Sequence, residues 1–248
     1  FQSLLSTLPD ENEDSFLIHL GDWNSPLSTS CDEQSYLTVD QLFSTSSVPV
    51  FFIPGDNEYN DCPDTDAALQ FWYKYLLDYE DRYWPQPSSY SVTRNFPTRP
   101  ENFAFLLRNV LYVGINLVGG AIHNETEWAQ RQANNIEWIE QQYLLYQSEL
   151  DALIVLAHAD PDVPSNEPFY SVFFEDIRST YDVPTILIHR NLGVESWGVE
   201  QEYGGIEDFV VLVTQASLWP PMRVEIDTTE QIFLFNQDTW YEDAMAGV

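Results

Sequence analysis

Five short segments of this chain carry residues able to grip a cation or an oxyanion: His19-Leu20-Gly21-Asp22-Trp23-Asn24, Pro54-Gly55-Asp56-Asn57-Glu58, Asn116-Leu117-Val118-Gly119-Gly120, His158-Ala159-Asp160-Pro161 and His189-Arg190-Asn191. Carboxylates, carboxamides and imidazoles are the donors that divalent Mn, Fe or Zn accepts. One chemistry they fit is phosphoester hydrolysis at neutral pH. It calls for a strong nucleophile and for neutralised charge on the equatorial oxygens. A pair of metal ions about 3.5–4 Å apart can supply both. Such a pair needs a bridging carboxylate and further O and N ligands drawn from several strand ends.

Convergence of these loops depends on the elements that precede them. Apolar, β-rich runs at 16–20, 48–53, 110–116, 152–157 and 183–188 read as buried strands. Between them, 33–43, 66–83, 125–148 and 169–181 carry apolar residues at helical spacing, as in Leu69, Trp72, Tyr73, Leu76 and Tyr79. The alternation implies a largely parallel sheet with helices packed on it, and in such sheets the loops at the carboxyl ends of strands collect ligands. From 209 onward, runs at 209–213, 222–226 and 232–235 follow one another with short turns, the pattern of antiparallel strands completing a second sheet. The expected fold class is α/β, with two stacked mixed β-sheets flanked by helices in one domain over 1–248. No linker or internal repeat divides the chain.

In this arrangement the sequence resembles the calcineurin-like metallophosphoesterase family, whose pattern runs D-x-H, G-D-x-x-D, G-N-H-[DE], H and G-H-x-H. Phe16-Leu17-Ile18-His19-Leu20-Gly21-Asp22 is similar to the second motif, the run from Val48 to Glu58 to the third, and Leu153-Ile154-Val155-Leu156-Ala157-His158 to the fourth. An extracellular branch reading P-G-D-N-E-W-N-D-C is matched most closely, here by Pro54-Gly55-Asp56-Asn57-Glu58-Tyr59-Asn60-Asp61-Cys62. The likeness extends to Arg99-Pro100-Glu101-Asn102-Phe103-Ala104-Phe105 and to the segment from Gly114 to Gly120.

Carried over by position, the resemblance implies that Asp22 is a metal-bridging carboxylate, that Asp56 and His158 are metal ligands, and that Asn57 stands where the family has its catalytic His. An amide cannot donate a proton as an imidazolium does. The last family motif reads Ile188-His189-Arg190-Asn191 here, which leaves His189 as one ligand of two and adds the Arg190 guanidinium. Arg190 offers a fixed cation that can pair with Asp22 or Asp56 in place of a metal's charge. The first motif has no counterpart in 1–15, so either its strand lies upstream of Phe1 or the site has lost a ligand. The resemblance therefore implies two functions: metal-dependent hydrolysis of a phosphoester small molecule at a reduced site, or an inactive structural or binding subunit of an extracellular assembly.

Bulk properties bound the partners. The chain has 40 Asp+Glu against 9 Lys+Arg, a formal net charge of −31, with Lys74 as its single lysine. Such a field repels nucleic acid and anionic lipid. It reads either as a solubilising surface for a salty exterior or as a grip for a cation-rich partner. No apolar run approaches the roughly 18–20 residues of a membrane span. Cys31 and Cys62 each follow one of the Gly-Asp loops and are expected to form a disulfide, which suits a secreted protein. Asn124-Glu125-Thr126 is a glycosylation sequon. His19 lies in an apolar strand and reads as a core histidine, His123 as exposed loop, and Asp160 and Asp162 as turn formers around Pro161. Residues 10–14 read as a solvated acidic loop and 85–100 as loops beside the site.

Overall fold

The computed structural model describes residues 5–8, 14–23, 31–84, 89–190, 197–214, 220–227 and 232–236. Asn24, Asn191 and all of the acidic stretch 10–14 except Asp14 lie outside the described residues. The elements run β1 (Leu17–His19), α1 (Glu33–Phe43), β2 (Val50–Phe52), a π-turn (Asp56–Asn60), α2 (Thr65–Leu76), α3 (Glu80–Tyr83), β3 (Thr93–Asn95), β4 (Arg99–Leu107) and β5 (Val110–Gly114). There follow α4 (Glu125–Tyr146), β6 (Ala152–Leu156), α5 (Glu167–Ser179), β7 (Thr185–Arg190), β8 (Gly198–Gln201), β9 (Phe209–Thr214), β10 (Arg223–Asp227) and β11 (Ile232–Asn236).

Seven strands form one mixed sheet in the order β3-β4-β5-β6-β7-β9-β8. Its centre, β5-β6-β7-β9, is parallel, and antiparallel pairs close both sides. The period-two alternation of side chains splits this sheet into two faces. Leu153, Val155, Leu187, Phe209 and Val211 pack beneath α4 and α5 with Trp138, Ile139, Phe169 and Phe173. Ala152, Ile154, Leu156, Ile186, Ile188, Val210 and Leu212 turn the other way. There they meet Phe16, Ile18, Phe51 and Ile53 from the parallel pair β1-β2, and Val224, Ile226, Phe233 and Phe235 from the β10-β11 hairpin. The opposite side of β1-β2, carrying Val50 and Phe52, is covered by Tyr36, Val39 and Phe43 of α1 and by Ala68, Trp72 and Leu76 of α2. Helices, small sheets, large sheet and helices thus stack as a sandwich, in agreement with the α/β class expected.

The details differ from expectation at three places. Residues 209–213 do not pair antiparallel in a second sheet. They form β9, parallel to β7 in the register Thr185↔Phe209 to Arg190↔Thr214. A run buried from Phe209 to Leu212 suits an interior parallel strand. The helix expected over 66–83 is two helices, because Leu77 is extended and Asp78 takes a left-handed φ of 52° between them. Arg94 holds that break through Asp78 at 3.0 Å and Glu80 at 2.5 Å. β3 and the start of β4 at Arg99 fall inside the loop expected over 85–100, and further along β4 Glu101 and Asn102 interrupt the apolar pattern yet are fully buried by partners described below. Among the described residues, no helix is long and apolar enough to cross a membrane.

Phe105 shows what holds the two sheets together. Its ring stacks on Phe51 at 5.0 Å, Tyr90 at 4.7 Å and Tyr112 at 4.9 Å, and takes the edge of Phe16 at 5.2 Å. Truncation of Phe105 to Ala should cost about 3–5 kcal/mol in a urea titration, because the large sheet and β1-β2 would keep a cavity between them.

Candidate functional site

The site begins with two glycines that touch. After β1 the chain turns through Gly21 (φ 85°) and Asp22 (φ 61°), left-handed geometry that glycine adopts freely and aspartate tolerates. A Cβ on Gly21 would lie 2.5 Å from the backbone of Gly55, and one on Gly55 would lie 2.4 Å from the nitrogen of Asp22. Only glycine permits the loops after β1 and β2 to approach this closely.

Glu58 then stitches them together. Its Oε1 accepts from Gly55 N at 2.7 Å, and its Oε2 accepts from Asp22 N at 2.9 Å. Asn57 returns the connection, with its backbone N donating to Asp22 Oδ1 at 3.1 Å and its Nδ2 to Asp22 Oδ2 at 2.7 Å. The Tyr36 hydroxyl of α1 donates to the Glu58 carbonyl. Cys31 and Cys62 form the expected disulfide, with Cα atoms 5.9 Å apart, and both sulfurs lie 3.8 Å from the Asn57 carbonyl oxygen. Burial pushes the fully enclosed Glu58 carboxyl up to about 7, against the pull of His158 and of the backbone donors.

His158, two residues past β6, completes a triangle. Its Nδ1 lies 2.7 Å from the Leu20 carbonyl oxygen. A carbonyl only accepts, so the Nδ1 proton is used there and a neutral ring turns the bare Nε2 lone pair toward the carboxylates. Nε2 lies 3.5 Å from Asp22 Oδ1 and 3.5 Å from Asp56 Oδ1, and all three side chains are nearly inaccessible. A lone pair facing two buried carboxylate oxygens is repulsive unless a cation or a proton sits among them. Burial pulls the His158 pKa down, but the hydrogen bond and charge of Asp56, the charge of Glu58 and the Leu20 carbonyl outweigh it, so the ring sits above the ordinary histidine value. One ligand atom from each of Asp22, Asp56 and His158 lies within 4.8 Å of the others, the one such group among the described residues. Two carboxylate oxygens and an imidazole nitrogen, the latter oriented by a carbonyl behind it, fit one divalent ion of the Mn, Fe or Zn type.

The remaining candidates sit around this triangle. Arg190, the last residue of β7, places its guanidinium on Asp22 Oδ2 with 17% of its side chain exposed, and burial lowers its pKa. His189 is buried on the same strand, directs Nδ1 to the Arg190 carbonyl oxygen at 2.9 Å, and is not among the three that converge. His19 stacks on Phe52 at 5.5 Å and accepts from Gly21 N at 3.1 Å. Burial, with His158 and Arg190 nearby, lowers its pKa to about 4, so it is a neutral core ring that shapes the Gly21-Asp22 turn. Gly119 packs against Asp56 from the β5 side, since a Cβ there would lie 2.9 Å from Asp56 Oδ2. Asn124 is exposed and caps α4, its Oδ1 accepting from Thr126 N and Glu127 N, which leaves Nδ2 as the atom a glycan would use. Asp160 accepts from Asp162 N at 2.8 Å in the turn expected of this pair.

Two contributors are not apparent from residue type alone. Glu58 reads as part of a motif, and its role as the clasp shows only in the Gly55 to Glu58 spacing, the N-cap to N3 relation of a capping box. A buried polar cluster fixes the β5 loop. Tyr73 and Asn116 each bond Glu101 at 2.8 Å, Asn102 accepts from Asn116 N, and Asn135 donates to the Asn116 carbonyl. Arg131 of α4 lies over the rings of Trp128 at 4.6 Å and Tyr59 at 5.5 Å, joining the π-turn to the same cluster. Neither the models of known protein families nor the curated proteins give a match to this chain.

Two outcomes follow from this geometry. Gly55→Ala forces a methyl group against Asp22, and should lower stability by at least about 2 kcal/mol in chemical denaturation, with loss of any metal binding. The second concerns pH. Glu58 has a folded value of about 7 against an ordinary 4.5. Folding therefore favours its protonated form, and its contribution is complete below pH 4.5 and is lost as pH rises through 7. The urea midpoint of chelator-treated protein should fall between about pH 5 and 8, and Glu58→Gln should flatten that fall.

Proposed function

We propose that this chain is a secreted, metal-dependent phosphoester hydrolase working with a single divalent cation held by Asp22, Asp56 and His158. The observation that carries the reading is His158 Nε2 lying 3.5 Å from each of two buried carboxylate oxygens, an arrangement a divalent cation would satisfy. Such an ion, Mn, Fe or Zn, supplies Lewis acidity toward a phosphoryl oxygen. The other roles fall to the chain itself. Arg190 provides a second positive charge at the rim for a phosphoryl oxyanion, and Asn57 orients the carboxylate of Asp22 through two hydrogen bonds. The likeness of the Gly-Asp, Gly-Asp-Asn-Glu and His motifs to the calcineurin-like metallophosphoesterases supports the same reading. The net charge of −31 argues for a small phosphoester and against nucleic acid, and the disulfide and the exposed sequon at Asn124 argue for the extracellular space.

One contact favours a second reading. Arg190 already pairs with Asp22, and a guanidinium there replaces part of a metal's charge, as in a non-catalytic structural or binding subunit of an extracellular assembly. Metal analysis of natively purified protein, coupled to phosphomonoesterase and phosphodiesterase assays with added manganese or zinc, separates the two. The hydrolase reading expects one equivalent of metal, turnover, and loss of both in Asp22→Asn. Protein that stays metal-free and inactive after loading, with unchanged stability, would leave the subunit reading in its place.

A further inference from the structure

The carboxylate of Asp22 serves different neighbours with its two oxygens. Its Oδ1 accepts from Asn57 N at 3.1 Å and lies 3.5 Å from His158 Nε2, and Asp56 Oδ1 stands 3.5 Å from the same nitrogen. Its Oδ2 accepts from Asn57 Nδ2 at 2.7 Å and pairs with Nη1 of Arg190. A carboxylate oxygen offers about two lone pairs. Asn57 fills one on each oxygen, so the second lone pair of Oδ1 is left to the group of Asp22, Asp56 and His158, and the second lone pair of Oδ2 goes to the guanidinium. With 1% of the Asp22 side chain exposed, bulk water replaces neither partner.

The guanidinium is held in place. Arg190 ends β7, where its backbone is paired in register with Thr214 of β9, and 17% of its side chain is exposed. It does not deprotonate, so its charge stays beside Asp22.

Charge then decides how the site fills. Asp22, Asp56 and Arg190 together carry one negative charge, and a divalent ion on the two carboxylates and His158 turns this into one positive charge. Solvent screens little there, so an excess charge is costly. Whatever the protonation of Glu58 and His158, such an ion meets one more positive charge than it would with a neutral residue at position 190. A phosphoryl oxyanion offsets that excess, because its oxygens accept charge-assisted hydrogen bonds from a guanidinium.

We infer that Arg190 couples metal uptake to oxyanion binding: it lowers the affinity for a divalent cation bound alone, and a phosphoryl oxyanion engaging the guanidinium restores that affinity. The inference rests on the metal-dependent reading above and adds that metal and phosphoester load as a pair. The coupling is reciprocal, so the metal raises the affinity for the oxyanion by the same factor.

Calorimetric titration of manganese, at one pH and one ionic strength, with and without inorganic phosphate, tests it on wild type, Arg190→Gln and Arg178→Gln. Arg178, exposed in the last turn of α5, provides a charge-matched control away from the site. Without phosphate, Arg190→Gln should bind one equivalent of manganese at least about tenfold more tightly than wild type. Phosphate should tighten manganese binding by at least about tenfold in wild type and by less than about threefold in Arg190→Gln. Arg178→Gln should match wild type in both respects. One equivalent of manganese bound equally well or less well by Arg190→Gln, an equal phosphate effect in both proteins, or the same gain in Arg178→Gln overturns the inference while the metal site stands. No manganese bound by wild type or by Arg190→Gln, with or without phosphate, overturns both. Should Arg190→Gln fail to fold, wild-type crystals grown with manganese and phosphate decide: a phosphate oxygen hydrogen-bonded to the Arg190 guanidinium is expected, and phosphate on the metal without that contact overturns the inference.

Discussion

The contact between the backbones at Gly21 and Gly55, clasped by the buried carboxylate of Glu58, is the constraint from which the site follows. Two turns that follow parallel strands are brought within van der Waals distance, which fixes where Asp22 and Asp56 can point. Glu58 holds the amides of both turns, and Asn57 ties the side chain of Asp22 to the second turn. Removing either glycine's freedom or the carboxylate clasp would separate two carboxylates that are 34 residues apart in sequence. The disulfide and the Tyr36 hydroxyl bind the same turn from outside, so the clasp does not act alone.

The sandwich provides the third corner. β6 and β7 belong to the large sheet, while Asp22 and Asp56 leave the small one, and the aromatic layer around Phe51 and Phe105 sets the distance between them. His158 reaches across that gap to the Leu20 carbonyl, and through it to both carboxylates. Packing of aromatic rings remote from the site therefore governs whether Asp22, Asp56 and His158 meet. The polar cluster of Glu101, Asn102, Asn116 and Asn135 does the same for the β5 loop that closes over Asp56.

Much of this was readable in the chain. Strands at 48–53 and 152–157 are uninterrupted apolar runs, and the Gly-Asp pairs and His158 stand directly after strands, so the meeting of Asp22, Asp56 and His158 could be foreseen. What could not be read has physical causes. β4 is hidden because Glu101 and Asn102 look like surface residues until their buried partners, distant in sequence, are known. β9 lies in the large sheet and not in the second sheet its sequence suggests, because strand periodicity says nothing about which neighbour a strand pairs with. The clasp of Glu58 is invisible to residue type, since an acidic side chain after Gly-Asp-Asn looks like another ligand and here faces backbone amides. The two glycines read as turn formers, while their actual importance is mutual contact across two strands.

What remains in tension is the positive charge at the centre. Asp22 and Asp56 face His158 Nε2, where a proton on the ring relieves the contact; Arg190 offers positive charge to Asp22, and a divalent ion would satisfy all three side chains at once. Anomalous diffraction from crystals soaked in manganese measures this directly. The account predicts one anomalous peak, within bonding distance of a carboxylate oxygen of Asp22, a carboxylate oxygen of Asp56 and Nε2 of His158. A peak elsewhere, or no peak with the Arg190 guanidinium seated among those atoms, would contradict it.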